Sequence, residues 1–273
     1  MGWWWLAVVA FAALVYNALA PSLALHPVDL TNKRFLVTGC SITGIGYETA
    51  AILEEWNATV LCSMRSKDKA NELLAAVAPR LKARKSTGSI RYALVDFTSF
   101  ASVRAFAVEV LASMPRIDGV VLNAGLHLGP AHGIRTSLDG LDEELQTNHY
   151  SQFLLLRLLE ERIVQSAPGP RVVFVSSGAM AQGALVRHVY EHTQRPQRRG
   201  GMQTYQDSKL MNVLSAKAFA ERFAQRQVNV TVNSVAPGLV RTNFTETGKG
   251  EAIVEALAFM SASRSLVACT RWN

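Results

Sequence analysis

The stretch Thr38-Gly39-Cys40-Ser41-Ile42-Thr43-Gly44-Ile45-Gly46 decides how the rest of the chain is read. It ends a short apolar run, Lys33 to Thr38, and opens an amphipathic one, Ile45 to Trp56. Glycines at a strand-to-helix junction let the backbone approach a bound group closely, and the free N–H groups of the first helical turn stabilise an anion there. A preceding strand and a following helix form the context in which such a turn cradles a pyrophosphate. Gly39, Ser41, Gly44, Ile45 and Gly46 are therefore candidate cofactor-binding residues.

The alternation continues outward from this turn. Strands are predicted at Thr59 to Ser63, Ile90 to Val95, Gly119 to Leu122, Arg171 to Val175 and Asn229 to Val235. Helices are predicted at Lys67 to Lys82, Ser102 to Ser113, Leu138 to Gln165 and Gln203 to Arg226. Beyond these, Glu251 to Met260 reads as a helix and Ser265 to Cys269 as a short strand. Strands that are apolar throughout are buried on both faces, which implies a parallel sheet covered by helices. The expected fold class is α/β, a doubly wound parallel sheet in one domain over residues 31–273.

Composition narrows the function. Of 273 residues 49% are hydrophobic, enough for a sizeable core and too many for a disordered chain. Cys40, Cys62 and Cys269 lack any CxxC or Cys/His pairing, so they read as reduced thiols. His188 and His192 stand four apart without a third ligand, and no metal is expected. The net charge is +7, but no Arg/Lys stripe with interleaved aromatics accompanies it, so nucleic acid is not an expected partner.

Ahead of the alternation, Trp3 to Leu25 carries no charge. A helix of that length crosses the roughly 30 Å hydrocarbon core of a bilayer. Trp3, Trp4 and Trp5 suit one interface, and Lys33 and Arg34 beyond the other end place the remainder in the cytosol. Residues 1–30 are expected to be a single-pass anchor in the endoplasmic reticulum membrane. A cleaved signal ending at Ala18-Leu19-Ala20 and an interfacial segment broken at Pro21 stay open beside it.

Two further places carry chemistry. After the second strand an acidic residue would bind the adenosine ribose, whereas a cation accommodates a 2′-phosphate. Cys62-Ser63-Met64-Arg65-Ser66-Lys67 offers no carboxylate, so NADP is favoured over NAD, with Arg65 as the phosphate contact. Tyr205 and Lys209 lie four apart on one helical face. A tyrosine titrates near pH 10, and a nearby ammonium and the positive nicotinamide stabilise its anion, bringing it toward proton exchange with a carbonyl or alcohol oxygen.

Residues 33 to about 245 resemble the short-chain dehydrogenase/reductase family, with the glycine turn, Asp96, Asn123-Ala124-Gly125, Asn148, Ser176-Ser177, Tyr205/Lys209 and Pro237-Gly238 in order. Thr147 to Leu155 and Ser208 to Leu214 are similar to its retinol-dehydrogenase-like branch. The resemblance implies a Rossmann-type fold and a catalytic set of Ser177, Tyr205, Lys209 and Asn148. Tyr205 would donate the proton in reduction, Lys209 would lower its pKa and hold the nicotinamide ribose, and Ser177 would bind the substrate oxygen. Asn148 would hold a water linking Lys209 to solvent. Asp96 would bind the adenine, Asn123, Ala124 and Gly125 would line the cofactor cleft, and Pro237, Gly238, Val240 and Thr242 would contact the carboxamide and pyrophosphate.

Two departures from the family pattern stand out. Four residues, not three, separate Gly39 from Gly44, and the C-terminal region after Thr242 is shortened where relatives build a substrate lid and a seventh strand. The expected function is interconversion of a carbonyl and an alcohol on a lipophilic small molecule of retinoid, steroid, terpenoid or polyketide type, using NADP(H) at a membrane. Its rival is a catalytically inactive NADP-binding interaction protein with a truncated lid.

Overall fold

Six parallel strands are hydrogen-bonded in the order β3-β2-β1-β4-β5-β6 in a computed structural model that describes residues 27–128, 135–166, 168–184 and 202–238. The strands are β1 (Arg34–Thr38), β2 (Thr59–Met64), β3 (Ser89–Leu94), β4 (Gly119–Leu122), β5 (Arg171–Val175) and β6 (Thr231–Val235). The helices are α1 (Ile45–Glu55), α2 (Lys67–Arg84), α3 (Phe100–Ser113), the single turn α4 (Glu143–Leu145), α5 (Ser151–Gln165) and α6 (Met202–Gln225). The anchor stretch, Val240, Thr242, and the helix and strand expected after Thr242 lie outside the described residues. Among the described residues no helix is long and apolar enough to cross a membrane.

Alternate residues of each strand feed opposite layers. Leu36 on β1, Val120 and Leu122 on β4 and Phe174 on β5 join the α3, α5 and α6 side chains Phe106, Leu155, Leu159 and Phe219 in one core. Val37 on β1 and Val60 and Cys62 on β2 join Ala50, Ala51, Leu73 and Val77 of α1 and α2 in the other. Burial on both faces is what the unbroken apolar runs of β1, β2, β4 and β5 encode.

Asp118 ties the sheet at the strand starts. Its carboxylate accepts from the Arg34 N–H at 2.9 Å, Arg116 Nε at 3.0 Å and Lys33 Nζ at 3.3 Å. Burial pushes this carboxyl up, but the bonds from Arg116 and the Arg34 amide, with Lys33 and the Arg116 charge, outweigh it and hold it below the usual 3.8.

One expected element is corrected. The helix predicted from Leu138 to Gln165 begins only at Glu143, because the Asp142 carboxylate caps it by accepting from the Leu145 N–H at 2.9 Å. Residues before it form a turn through Gly140, whose φ of +76 suits glycine, and Thr136 pairs with Asp142 in an isolated antiparallel bridge. The helix then widens into a π turn, Gln146–Tyr150, where the Ser151 N–H reaches the Gln146 carbonyl, before α5 resumes. Smaller differences are slips of one or two residues: β3 is displaced by one, α2 runs two residues further, α3 starts two earlier and β6 two later.

Candidate active site

Strand order reverses between β1 and β4, and in such sheets the crevice outside the strands' carboxyl ends at that point is where ligands bind. The glycine turn leaves β1 there. Gly39 has φ +70, and a Cβ on it would sit 2.7 Å from Ala124 Cα. A Cβ on Gly46 would overlap the Gly39 carbonyl. The extra residue of the turn is taken up at Thr43, which adopts a left-handed φ of 65. Gly44, the N-cap of α1, has no side chain to bond the first-turn N–H groups, and an anion such as a phosphate suits that position. This turn fits a dinucleotide.

Thr38 and Asn123 brace the turn from below. Asn123 Nδ2 donates to the carbonyls of Thr38 and Gly39 at 2.8 and 2.9 Å. The Asn123 and Ala124 N–H groups donate to Thr38 Oγ1, which donates in turn to Gln152 Oε1 at 3.0 Å. The Asn123 amide N–H groups are thus spent on shaping the turn. Sequence reasoning gave no role to Thr38 or Gln152; a threonine directly before the first glycine was the available signal. Ser41 and Arg65 are exposed at the same end of the sheet. Asp96 closes its own turn, its Oδ1 accepting from Thr98 N and Oγ1 at 2.9 and 2.8 Å, and Pro237 and Gly238 follow β6.

The residues predicted to be catalytic lie on the other side of β4. Tyr205 and Lys209 project from the first turns of α6 and are 6% and 3% exposed. Lys209 Nζ lies 5.5 Å from the Tyr205 ring centroid and donates to the Val175 carbonyl at 3.2 Å. Burial depresses the Lys209 pKa to about 8, against an upward pull from the Glu144 charge. The helix is pinned by Ser176, whose hydroxyl donates to the Lys209 carbonyl at 2.7 Å. Ser177, next along, is half-buried and caps the 3₁₀ turn Gly178–Gln182 by accepting from the Ala179 N–H.

Asn148 sits in the π turn, fully buried. Its Oδ1 accepts from the Leu126 N–H at 2.7 Å, and its Nδ2 donates to the Leu126 carbonyl at 2.8 Å and Ser208 Oγ at 3.1 Å. A Cβ on Gly125 would lie 3.0 Å from Asn148 Oδ1 and 3.4 Å from Lys209 Nζ, so these groups close around that glycine. Asn148, Gly125, Tyr205 and Lys209 are brought together. Two buried pairs escaped the sequence reading because their partners are distant in the chain. His149 Nδ1 meets Asn212 Oδ1 at 3.0 Å, and burial lowers this histidine to about 4 despite the Asn212 bond. His127 Nδ1 meets Glu144 Oε1 at 3.1 Å.

Comparison with known proteins agrees with this geometry. Residues 33–194 match the family model described as short chain dehydrogenase. The chloroplastic short-chain dehydrogenase TIC 32 A of Brassica napus is 31% identical over 242 residues, covering 86% of this chain and 72% of that protein. Human retinol dehydrogenase 14 is 33% identical over 226 residues, 80% of this chain and 64% of its own length. A short chain dehydrogenase from Shigella flexneri complexed with NADP superposes with a TM-score of 0.62 at 21% identity, over 87% of this chain and 92% of that one.

Proposed function

We propose that this chain, which belongs to the short-chain dehydrogenase/reductase family of oxidoreductases, is a membrane-anchored, NADP(H)-dependent enzyme interconverting a carbonyl and an alcohol on a lipophilic small molecule. The observation that carries the reading is the closure of Lys209 and Asn148 around Gly125 with the Tyr205 ring beside Lys209, next to an α1 N-terminus whose cap residue is Gly44.

The bound nicotinamide supplies or accepts the hydride. In reduction the Tyr205 hydroxyl gives its proton to the substrate oxygen as charge develops there, and the Lys209 ammonium stabilises the phenolate left behind. Ser177 donates a hydrogen bond to the same oxygen. Asn148 holds the loop after β4 in place through both ends of its amide, and from there serves the return of a proton to Lys209. The first-turn N–H groups of α1 would receive the pyrophosphate, Asp96 the adenine, and Pro237, Gly238, Val240 and Thr242 the carboxamide and pyrophosphate.

Preference for the 2′-phosphate is supported by exposed Arg65 at the end of β2 with no carboxylate beside it, and by NADP in the Shigella relative of the same fold. Anchoring through residues 1–30 is supported by the uncharged run Trp3 to Leu25 and by the chain entering the sheet at the strand starts, the edge opposite the site. A lipophilic substrate accords with retinol dehydrogenases among the relatives. The test is the full chain in microsomal membranes, given NADPH or NADH with aliphatic, steroidal, terpenoid and retinoid carbonyls, with the alcohol product identified. Alcohol formed with NADPH by the membrane fraction supports the proposal. Tight NADPH binding with no product from any class would replace it with a non-catalytic dinucleotide-binding protein.

A further inference from the structure

His127 and Glu144 come from different elements, yet each is buried in the wall of the site, with side chains 1% and 3% exposed. The imidazole lies between two groups. Its Nδ1 is 3.1 Å from Glu144 Oε1 on one side, and its ring centroid is 4.9 Å from that of Tyr205 on the other. Glu144 Oε2 accepts from the Leu128 N–H at 3.1 Å. The carboxylate therefore grips both the backbone and the side chain of the loop whose preceding residue, Leu126, is gripped by Asn148.

We propose that His127 and Glu144 are a positioning pair for the Tyr205/Lys209 site: the Glu144 carboxylate grips the imidazole and the Leu128 backbone and sets a negative charge in the wall of the site, while the imidazole fixes the Tyr205 ring. This rests on the oxidoreductase reading and deepens it. A carboxylate this buried favours its neutral form unless donors hold the charge. Burial raises Glu144, and the hydrogen bond and charge of His127, with the Leu128 N–H, oppose that rise. The Glu144 charge in turn is the group that pulls Lys209 back up against its own burial.

Among the described residues, further charged groups lie on the same and neighbouring elements. Asp142 on the same segment works against Glu144 ionisation. Glu143 is paired with Arg135, Tyr150 feels Asp142, and His149 is turned to Asn212. From α6, Asp207 accepts from the Ala184 N–H and Gln203, and Lys209 feels the Glu144 charge.

The experiment follows the Lys209 side-chain signal by NMR in full-length protein carrying 13C-lysine, assigned by its loss in Lys209→Arg. Glu144→Gln keeps an acceptor for Leu128 but removes the charge, His127→Ala removes the donor, and His127→Asn restores one. The pair predicts a titration midpoint near 8 in the unaltered chain. It predicts a midpoint about one pH unit lower in Glu144→Gln, a smaller shift of the same sign in His127→Ala, and near-recovery in His127→Asn. The double variant should move no further than Glu144→Gln alone, the mark of groups acting as a unit. A midpoint unmoved by Glu144→Gln, or full additivity of the two changes, overturns the inference. Because the signal needs no turnover, the expected titration in a chain that reduces no carbonyl keeps the pair and removes the catalytic reading. In an active chain the alkaline limb of carbonyl reduction shifts to lower pH in Glu144→Gln, while NADPH binding is unchanged.

Discussion

At the residue scale, the role proposed for Lys209 and its effect on stability pull apart. Its amine is buried and titrates near 8 in the folded chain, well below the 10.5 of a free lysine. Between those values the unfolded chain binds more protons than the folded one, so stability rises with pH across that window and the buried ammonium is a liability below it. Lys209→Met should therefore melt higher at neutral pH, by an amount on the order of 1–2 kcal/mol after the lost bond to Val175, while carbonyl reduction is abolished. Scanning calorimetry with a turnover assay reads both, and a variant both less stable and fully active would refute the assignment. In the unaltered chain, reduction should decline above about pH 8 as Lys209 loses its proton. Arg65→Ser makes a second residue-level claim: NADPH binding should weaken at least tenfold while NADH binding hardly changes, as read by nicotinamide fluorescence.

At the element scale, the glycine turn and the π turn do the positioning. Gly46→Ala would drive a methyl into the Gly39 carbonyl, against backbone that cannot swing aside. Dinucleotide binding should be lost, whereas the melting temperature falls only modestly because the two cores lie beneath the turn; titration by fluorescence and thermal melts separates the two effects. The turn was legible in the sequence because its glycines act locally, between one strand and the next helix. So was the Tyr205/Lys209 spacing, which is one helical turn. The break in the segment predicted from Leu138 to Gln165 was not legible. Phe153 to Leu159 maintain an apolar pattern that runs on smoothly, while the interruption comes from the Asp142 cap and from Asn148 binding the distant Leu126 backbone. For the same reason the His127–Glu144 pair left no local trace, being 17 residues apart and joined only when α4 packs beside the β4 loop.

Across the whole molecule, both cores share the central strands, and Asp118 ties the beginnings of β1 and β4 together at the edge opposite the site. Its carboxyl titrates below its unfolded value, so its contribution is present above pH 4 or so and is lost as pH falls through the folded value. Asp118→Asn should lower stability by about 1–3 kcal/mol at pH 7 and leave a shallower acid-denaturation slope, measured by circular dichroism. That tie lies far from Tyr205 and should leave the chemistry intact, which separates scaffold from site. The most direct measurement of the central claim compares carbonyl reduction by the full chain and by Tyr205→Phe at saturating NADPH, with dinucleotide binding measured alongside. A fall in turnover of roughly 10²–10⁴-fold with binding unchanged is the predicted result. Turnover that survives the loss of the Tyr205 hydroxyl would contradict it.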